Sequence, residues 1–367
     1  MVSTLSSMKR TSGSTSGFQT SSSPSFRNLI INGDMAIAQR GTSFAAPSSG
    51  DYLLDRYYTT LSGAGVYTVT QDTDVPNGNF DYSLKVDCTT ADASIAAGDY
   101  YWIAQKIEGF NSAQLGWGTA DNKAVTISFW VKATKTGTQV VAVNNKTSGF
   151  GYPAEYTVDT TNTWEYKTVT IPGTASGTWV GGNDVGITVS FALAVGSDRQ
   201  NTADTWSAST PYTYGTSGGV NNLDNTANNF YITGVQLEAG SSATDFEHVP
   251  YGYQLSRCQR YYWTNVPTTW FPFAVGTPRS TTRADGLINF PVPMRAAPTY
   301  TEESAAGDFQ VYARASSVAV TATSSGGTFA NVGWLMFDVA SGLTAGDGVL
   351  LVDDGNANAQ VSYSAEL

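Results

Sequence analysis

The strongest constraint on this chain is a series of short apolar runs of period two, separated by turn residues, with no amphipathic helical window of any length among them. Val125-Thr126-Ile127-Ser128-Phe129-Trp130-Val131 alternates cleanly and sets Val125, Ile127, Phe129 and Val131 on one face. The run from Trp164 to Ile171 alternates again. Further strand-like stretches are Tyr67 to Thr70, Ser83 to Val86, Tyr100 to Ile103, Gln139 to Val143, Ile187 to Leu193 and Phe230 to Leu237. The segment from Phe26 to Asp34 reads as an opening apolar strand running into an Asn-Gly turn. Many short strands at this spacing predict an antiparallel sandwich or barrel, and the size favours a jelly roll. The 37 Gly, 20 Tyr, 16 Phe and 9 Trp suit strands and tight turns, whereas long helices would draw on Ala, Leu, Glu and Lys.

A chain of 367 residues is comfortable for two domains. Around 250–262 the pattern changes: Tyr251, Leu255, Cys258 and Tyr262 fall at helical spacing on one face, with Arg257 and Arg260 off it. This short helix reads either as a connector lying on its own domain or as an element meeting its symmetry mates at an oligomer axis. Strand signals then return, at 270–273, 286–290, 309–312, 318–320, 329–337 and 349–352, and in a final alternating run at 360–367. Three prolines between Pro291 and Pro298 break them, so that piece belongs on an edge or in a loop. The expected organisation is an all-β chain: an N-terminal arm over 1–26, a jelly-roll sandwich over 27–249, the helix over 250–262 and a smaller β-sandwich over 263–367.

Several function classes are disfavoured on counts alone. Nineteen Lys and Arg against thirty Asp and Glu leave a net charge of −11, the wrong sign for a nucleic-acid binder. No apolar run approaches the roughly 20 residues of a membrane-spanning helix, so no membrane insertion is expected. One histidine, His248, and two cysteines, Cys88 and Cys258, preclude a four-ligand Cys/His zinc site. The cysteines read as free thiols unless the fold brings them together. The first ten residues lack the apolar stretch of a signal peptide. Residues 2–25 are nearly all Ser, Thr and Gly, with Leu5, Met8 and Phe18 isolated among them. They read as a flexible tail, or as an arm that orders only against another subunit or a larger particle with those three residues as anchors.

Three groups of residues resemble one family: phage tail-fibre and related virion proteins with a jelly roll like that of carbohydrate-binding modules. The first is Asn28-Leu29-Ile30-Ile31-Asn32-Gly33-Asp34 followed by Gln39-Arg40-Gly41, and the second is Tyr52-Leu53-Leu54-Asp55-Arg56-Tyr57. The third closes the domain: Phe230 to Glu238, Ala243 to His248, and Cys258-Gln259-Arg260-Tyr261-Tyr262. Arg295-Ala296-Ala297-Pro298 and Ser364-Ala365-Glu366-Leu367 extend the likeness to the end of the chain. The resemblance implies a virion component, often a homotrimer, at or near the host-contacting end of a fibre, and the arm is then expected to attach it to other virion proteins. A purely structural capsid-fibre, decoration or tail-connector protein is the alternative it leaves open.

On that reading the ligand is host-surface polysaccharide, held by aromatic rings stacking on sugars with a few polar groups to orient them. The candidates are aromatics beside turn residues: Trp117, Tyr152, Trp179, Trp206, Tyr212 and Tyr214, and in the second domain Trp263, Trp270 and Trp334. No cofactor is expected beyond a structural calcium at Asp34, against which counts the lack of a carboxylate in Ile232-Thr233-Gly234. No spacing among the acidic residues nominates a catalytic pair, so a non-enzyme is expected. Asp55 and Arg56 read as structural, and Glu238 and Glu247 are expected to reach Arg257 or Arg260.

Overall fold

The computed structural model describes residues 26–145, 149–208, 214–265, 272–302, 305–314, 316–353, 355 and 359–367. Leu5, Met8, Phe18, Tyr212 and Trp270 lie outside the described residues.

The chain is all-β, and its first unit is a jelly-roll sandwich of two six-stranded sheets. One sheet runs β1 (Ser43–Ala45), β3 (Val66–Asp72), β4 (Ser83–Thr90), β12 (Asn229–Ala239), β6 (Val125–Ala133), β9 (Glu165–Ile171). The other runs β11 (Ser207–Ala208), β8 (Phe150–Val158), β7 (Gly137–Asn144), β10 (Val185–Val195), β5 (Tyr100–Glu108), β2 (Tyr57–Ser62). All neighbours pair antiparallel. Between the sheets lies one apolar core, in which Phe129 of β6 meets Tyr156 and Phe191 edge-on at 5.0 and 5.1 Å. The alternation read from the sequence is what places Val125, Ile127, Phe129 and Val131 there, all fully buried.

The opening segment departs from expectation. Residues 27–33 are buried or nearly so but form no strand. Side-chain amides satisfy their backbone instead. Asn28 donates to the Val235 carbonyl and accepts from the Ile30 and Leu237 amides, while Gln105 both accepts from the Ile31 amide and donates to its carbonyl. Asn32 similarly bridges Ile37 and Asp55. Conversely, β2 and β8 form where no strand was expected. Pro153 fits within β8 because β11 pairs only with Phe150 and Gly151, leaving the Pro153 edge without a strand partner there.

A short helical turn, α1 (Gly109–Ser112), follows β5, and α2 (Tyr251–Gln259) leaves the sandwich. The second unit begins with β13 (Tyr262–Thr264), which joins β21 (Val361–Ser364) and β16 (Thr299–Glu302) in a three-stranded sheet. The remaining strands are β14 (Pro272–Pro278), β15 (Arg283–Asn289), β19 (Val332–Val339), β18 (Ser316–Phe329), β17 (Phe309–Ala313) and β20 (Val349–Asp353). In that order they close into a barrel, so the second unit is sheet-built as expected but its main sheet curls onto itself. Phe273, Phe309 and Phe337 fill its interior.

The two units are latched. Glu366 is buried between Arg40 and Arg56, accepting from Arg40 Nη2 at 3.0 Å and pairing with Arg56 Nη1. Arg56 stacks on the Tyr261 ring at 3.5 Å and Arg40 on the Tyr262 ring at 3.6 Å. Arg295 donates to the carbonyls of Ala365, Glu366 and Asn183. Tyr52 and Lys106 both donate to the Leu367 carbonyl.

Candidate functional site

The alternation that buries Phe129 turns Ser128 and Trp130 to the opposite face of β6, where a groove of about 840 Å³ runs over the sheet. In register beside them on β9 stand Thr168, opposite Ser128, and Tyr166, opposite Trp130. The Trp130 and Tyr166 rings are 5.4 Å apart, and Tyr166 is 45% exposed. On the other flank β12 bulges between Thr233 and Gln236. Gly234 sits in that bulge at φ +60°, and a Cβ there would stand 2.7 Å from Phe80 and 3.3 Å from Trp130. Glycine is thus required both by the backbone and by the two rings it separates.

Two loops form the walls. The β3–β4 connection contributes Asn77, Asn79 and Phe80, and the segment after β12 contributes Thr244, Asp245, Phe246 and His248. Phe80, Phe246 and His248 pack on one another at 4.9–5.5 Å. A polar network beneath holds this second wall. Glu238 accepts from the Thr244 amide and hydroxyl, Gln236 accepts from the Glu247 amide, and Arg27 donates to the Asp245 carbonyl. Glu238 and Glu247 therefore serve Arg27, at 3.6 and 3.9 Å, and form no ion pair with Arg257 or Arg260. Arg260 instead makes a bidentate pair with Glu108, and Arg257 donates to the Asn28 carbonyl.

The aromatics nominated from the sequence lie elsewhere, and two are not exposed at all. Trp117 and Tyr152 are buried at 7% and 6% exposure. They join Trp179, Trp206 and Phe150 in a cluster closing one end of the sandwich, with Trp117 4.7 Å from Trp179 and 5.3 Å from Trp206. Phe150 stacks on Trp206, and Tyr152 meets it edge-on. Each indole N–H of the three Trp donates to a backbone carbonyl, of Lys123, Ser176 and Pro172 respectively, so the cluster plugs that end with Trp117 buried and Trp179 and Trp206 half-buried around it. Tyr214 stacks on the buried Trp102 at 3.9 Å. Trp263 packs on Phe290 and Tyr363, and Trp334 lies across Gly326 with Arg279 over its ring.

The face of α2 chosen as an oligomer axis is turned into its own chain. Cys258 is fully buried with Ile31, Ile37 and Tyr261, with Leu255 packed against them, and Tyr262 is buried where it starts β13. Tyr251 alone of the four is exposed. The connector reading therefore describes this helix. Both cysteines are free thiols, and burial pushes that of Cys258 well up.

Burial raises the carboxyl pKa of Asp34, and its interactions are with backbone amides, His248 and Gln254. Among the described residues, no three His, Cys, Asp or Glu side chains gather as metal ligands would. Among the described residues, too, no helix is long and apolar enough to cross a membrane.

Neither Trp130 nor Tyr166 was nominated, although the signal was present. Trp130 stands out of phase with the apolar positions of its strand, and Tyr166 out of phase with Val169 and Ile171. A large aromatic on the polar face of an alternating strand is one that the core does not claim.

No protein-family model matches this chain, and no curated protein is similar to it in sequence. Among solved structures, the enzymatically active domain of tailspike protein 4 of bacteriophage CBA120 aligns with 58% of this chain and 21% of its own, at 14% identity and a TM-score of 0.30. The chain thus spans about a fifth of that domain. A family 61 carbohydrate-binding module in complex with β-1,4-galactotriose aligns over 58% of this chain and 99% of its own, at 10% identity and TM-score 0.28. A family 22 carbohydrate-binding module from Clostridium thermocellum aligns over 56% and 97%, at 14% identity and TM-score 0.29. These likenesses are distant, and the functional reading rests on the groove's own side chains.

Proposed function

We propose that the chain is a non-catalytic, glycan-binding component of a phage tail fibre, attached to the particle by its N-terminal arm and assembled as a homotrimer. The virion part of this reading rests on the sequence resemblance. The glycan part rests on the groove, and one observation carries it: the paired Trp130 and Tyr166 rings on an open floor, ringed by Asn77, Asn79, Ser128, Thr168 and Thr244. Partly exposed rings offer apolar area to the C–H faces of a sugar, and amides and hydroxyls around them suit its hydroxyls. The groove's volume is in the range of small-molecule sites. Among the described residues that line it there is no Lys or Arg, so it suits a neutral polysaccharide better than one bearing carboxylates. Asp245 is the one carboxylate among those lining residues, whereas glycoside hydrolysis ordinarily uses two.

Titration calorimetry with neutral oligosaccharides of glucan, galactan, mannan and xylan type, and with uronic-acid oligomers as contrast, tests this. Trp130→Ala and Tyr166→Ala should each weaken binding of a neutral oligomer about tenfold, equivalent to about 1.4 kcal/mol. Absence of binding to every oligomer, or binding indifferent to both substitutions, would overturn the glycan reading and leave the purely structural one.

A further inference from the structure

Tyr253 and Arg257 stand one turn apart on α2, so their side chains are neighbours on one face of the helix. With Phe110 of α1, Phe26, Asn111 and Gln114 they line a cavity of about 320 Å³. It shares no lining residue with the groove over β6. Its rings are open: Phe110 is 66% exposed, Phe26 54% and Tyr253 43%, and the last two lie 4.9 Å apart. None of the three belongs to the core between the sheets. Two guanidiniums also reach the cavity, and they differ. Arg260 is held by Glu108 through bonds of 3.1 and 3.2 Å. Arg257 forms no ion pair with a described residue, although most of the described arginines do. Its Nη2 donates to the Asn28 carbonyl at 3.2 Å, and Glu247 acts on it only from further away. Glu247 is itself engaged by the Phe26 and Asn28 amides and by Arg27.

We infer that this cavity is a second binding site, which takes one carboxylate-bearing sugar unit, free or at the end of a chain. The Arg257 fork matches a planar carboxylate, and a ligand that brings one supplies the partner that the chain does not. A single negative charge fits better than two. The charge of Arg260 is already met by Glu108, so a phosphate dianion would face one guanidinium with two carboxylates, Glu108 and Glu247, nearby. The exposed rings offer apolar area to the C–H face of a sugar, and the amides of Asn111 and Gln114 suit its hydroxyls. The volume lies at the small end of ligand sites, the size for one unit rather than a run of them. The groove, with no Lys or Arg among its described lining residues, disfavours the very group that this cavity favours. The inference is independent of whether the groove binds neutral glycan.

Titration of the full chain with glucuronate, galacturonate and N-acetylneuraminate tests it, with glucose, galactose and glucose 6-phosphate as contrasts. At least one sugar acid should bind, about tenfold more tightly than its neutral counterpart and than the phosphate. Arg257→Gln should weaken that binding about tenfold. Phe110→Ala should weaken it about fivefold, and because Phe110 is exposed this variant removes nothing that the fold uses. Unchanged circular dichroism checks both proteins. An oligomer ending in the same sugar acid distinguishes the two sources: equal affinity means that a single unit is taken, and tighter binding that the end of a chain is. No sugar acid bound at about 10 mM, equal binding of the neutral sugar or the phosphate, or binding indifferent to both substitutions would each overturn the inference. Arg257→Gln should bind neutral oligosaccharide as the wild type does. The groove reading is judged on neutral ligands and Trp130→Ala, and this one on acidic ligands and Arg257→Gln, so either can fail alone.

Discussion

Replacing Glu366 by Ala should cost more than any single surface change, because of what it leaves behind. The side chains of Glu366, Arg56 and Arg40 are 5%, 1% and 12% exposed; both guanidiniums reach the Glu366 carboxylate, and the buried Asp55 carboxylate acts on both from further away. Arg56 keeps its bond to the Lys106 carbonyl at 2.6 Å and its stacking on Tyr261, but Asp55 then remains as one carboxylate for two buried guanidiniums, neither of which it salt-bridges. Removing one partner of a buried ion pair costs about 3–5 kcal/mol, chiefly the desolvation of the charge left unpaired. At about 2.1 cal/mol/K of unfolding entropy per residue, 367 residues shift by about 1.3 °C per kcal/mol, so a loss near 4 kcal/mol lowers the melting point by roughly 5 °C. The latch holds the last residues across both units, so the first sign should be release of that tail. Differential scanning calorimetry reads the midpoint, and limited proteolysis reads the tail. A cycle with Arg56→Met should return a coupling energy above about 2 kcal/mol. A loss below about 1 kcal/mol, the value of an exposed pair, would show that water reaches both guanidiniums and refute the reasoning.

Two further outcomes follow from the same structure. Trp117→Ala should destabilise the sandwich by about 3–5 kcal/mol in denaturant titration, since a buried indole and its bond to the Lys123 carbonyl are lost. The same variant should bind oligosaccharide as the wild type does, because the plug is no part of the groove. The Arg283 guanidinium holds the Asp338 carboxyl below its ordinary value of 3.8 through bonds of 2.6 and 3.0 Å. With the folded value depressed, the pair's contribution is fully present above pH 3.8 and is lost as the pH falls through the lower folded value. The gap in thermal midpoint between wild type and Asp338→Asn should therefore be constant from pH 7 to pH 5 and shrink toward pH 3.

The sandwich was legible because β-structure writes a period of two directly into the chain. Phe129 inward and Trp130 outward follow from position alone, and β6, β9, β10 and β12 form where their alternation or apolar content places them. Segments whose partners are remote were not legible. Residues 28–32 carry strand-like residues, yet their backbone is satisfied by the side chains of Asn28 and Gln105, the latter 74 positions from Ile31. No local pattern encodes a glutamine arriving from another strand. The Trp117 cluster misled for a related reason. Gly and Thr around Trp117, Trp179 and Trp206 read as surface loops, whereas three such loops folded together bury the Trp117 ring and leave Trp179 and Trp206 half-buried on it.

Several of the motifs that carried the family resemblance converge in space on the latch, while Phe230 to Glu238 and Ala243 to His248 form a flank and a wall of the groove, and this bears on what such a resemblance can say. Gln39 donates to Asp55 and to the Tyr262 carbonyl, Arg56 pairs with Glu366, and Arg295 holds the carbonyls of Ala365 and Glu366. Residues from the Gln-Arg-Gly turn, the Asp-Arg segment, the Arg-Tyr-Tyr helix end, the Arg-Ala-Ala-Pro loop and the closing Ala-Glu-Leu thus form one polar core between units. Changing any one strands a buried charge or amide, so the set constrains itself whatever ligand the protein takes. The groove is under no such constraint. Trp130 and Tyr166 stand on the outer face of a sheet whose core packs on its inner one, and no contact of the latch depends on them. The resemblance therefore speaks to the latch and to one wall of the groove, whereas the paired Trp130 and Tyr166 rings on the groove floor lie outside it.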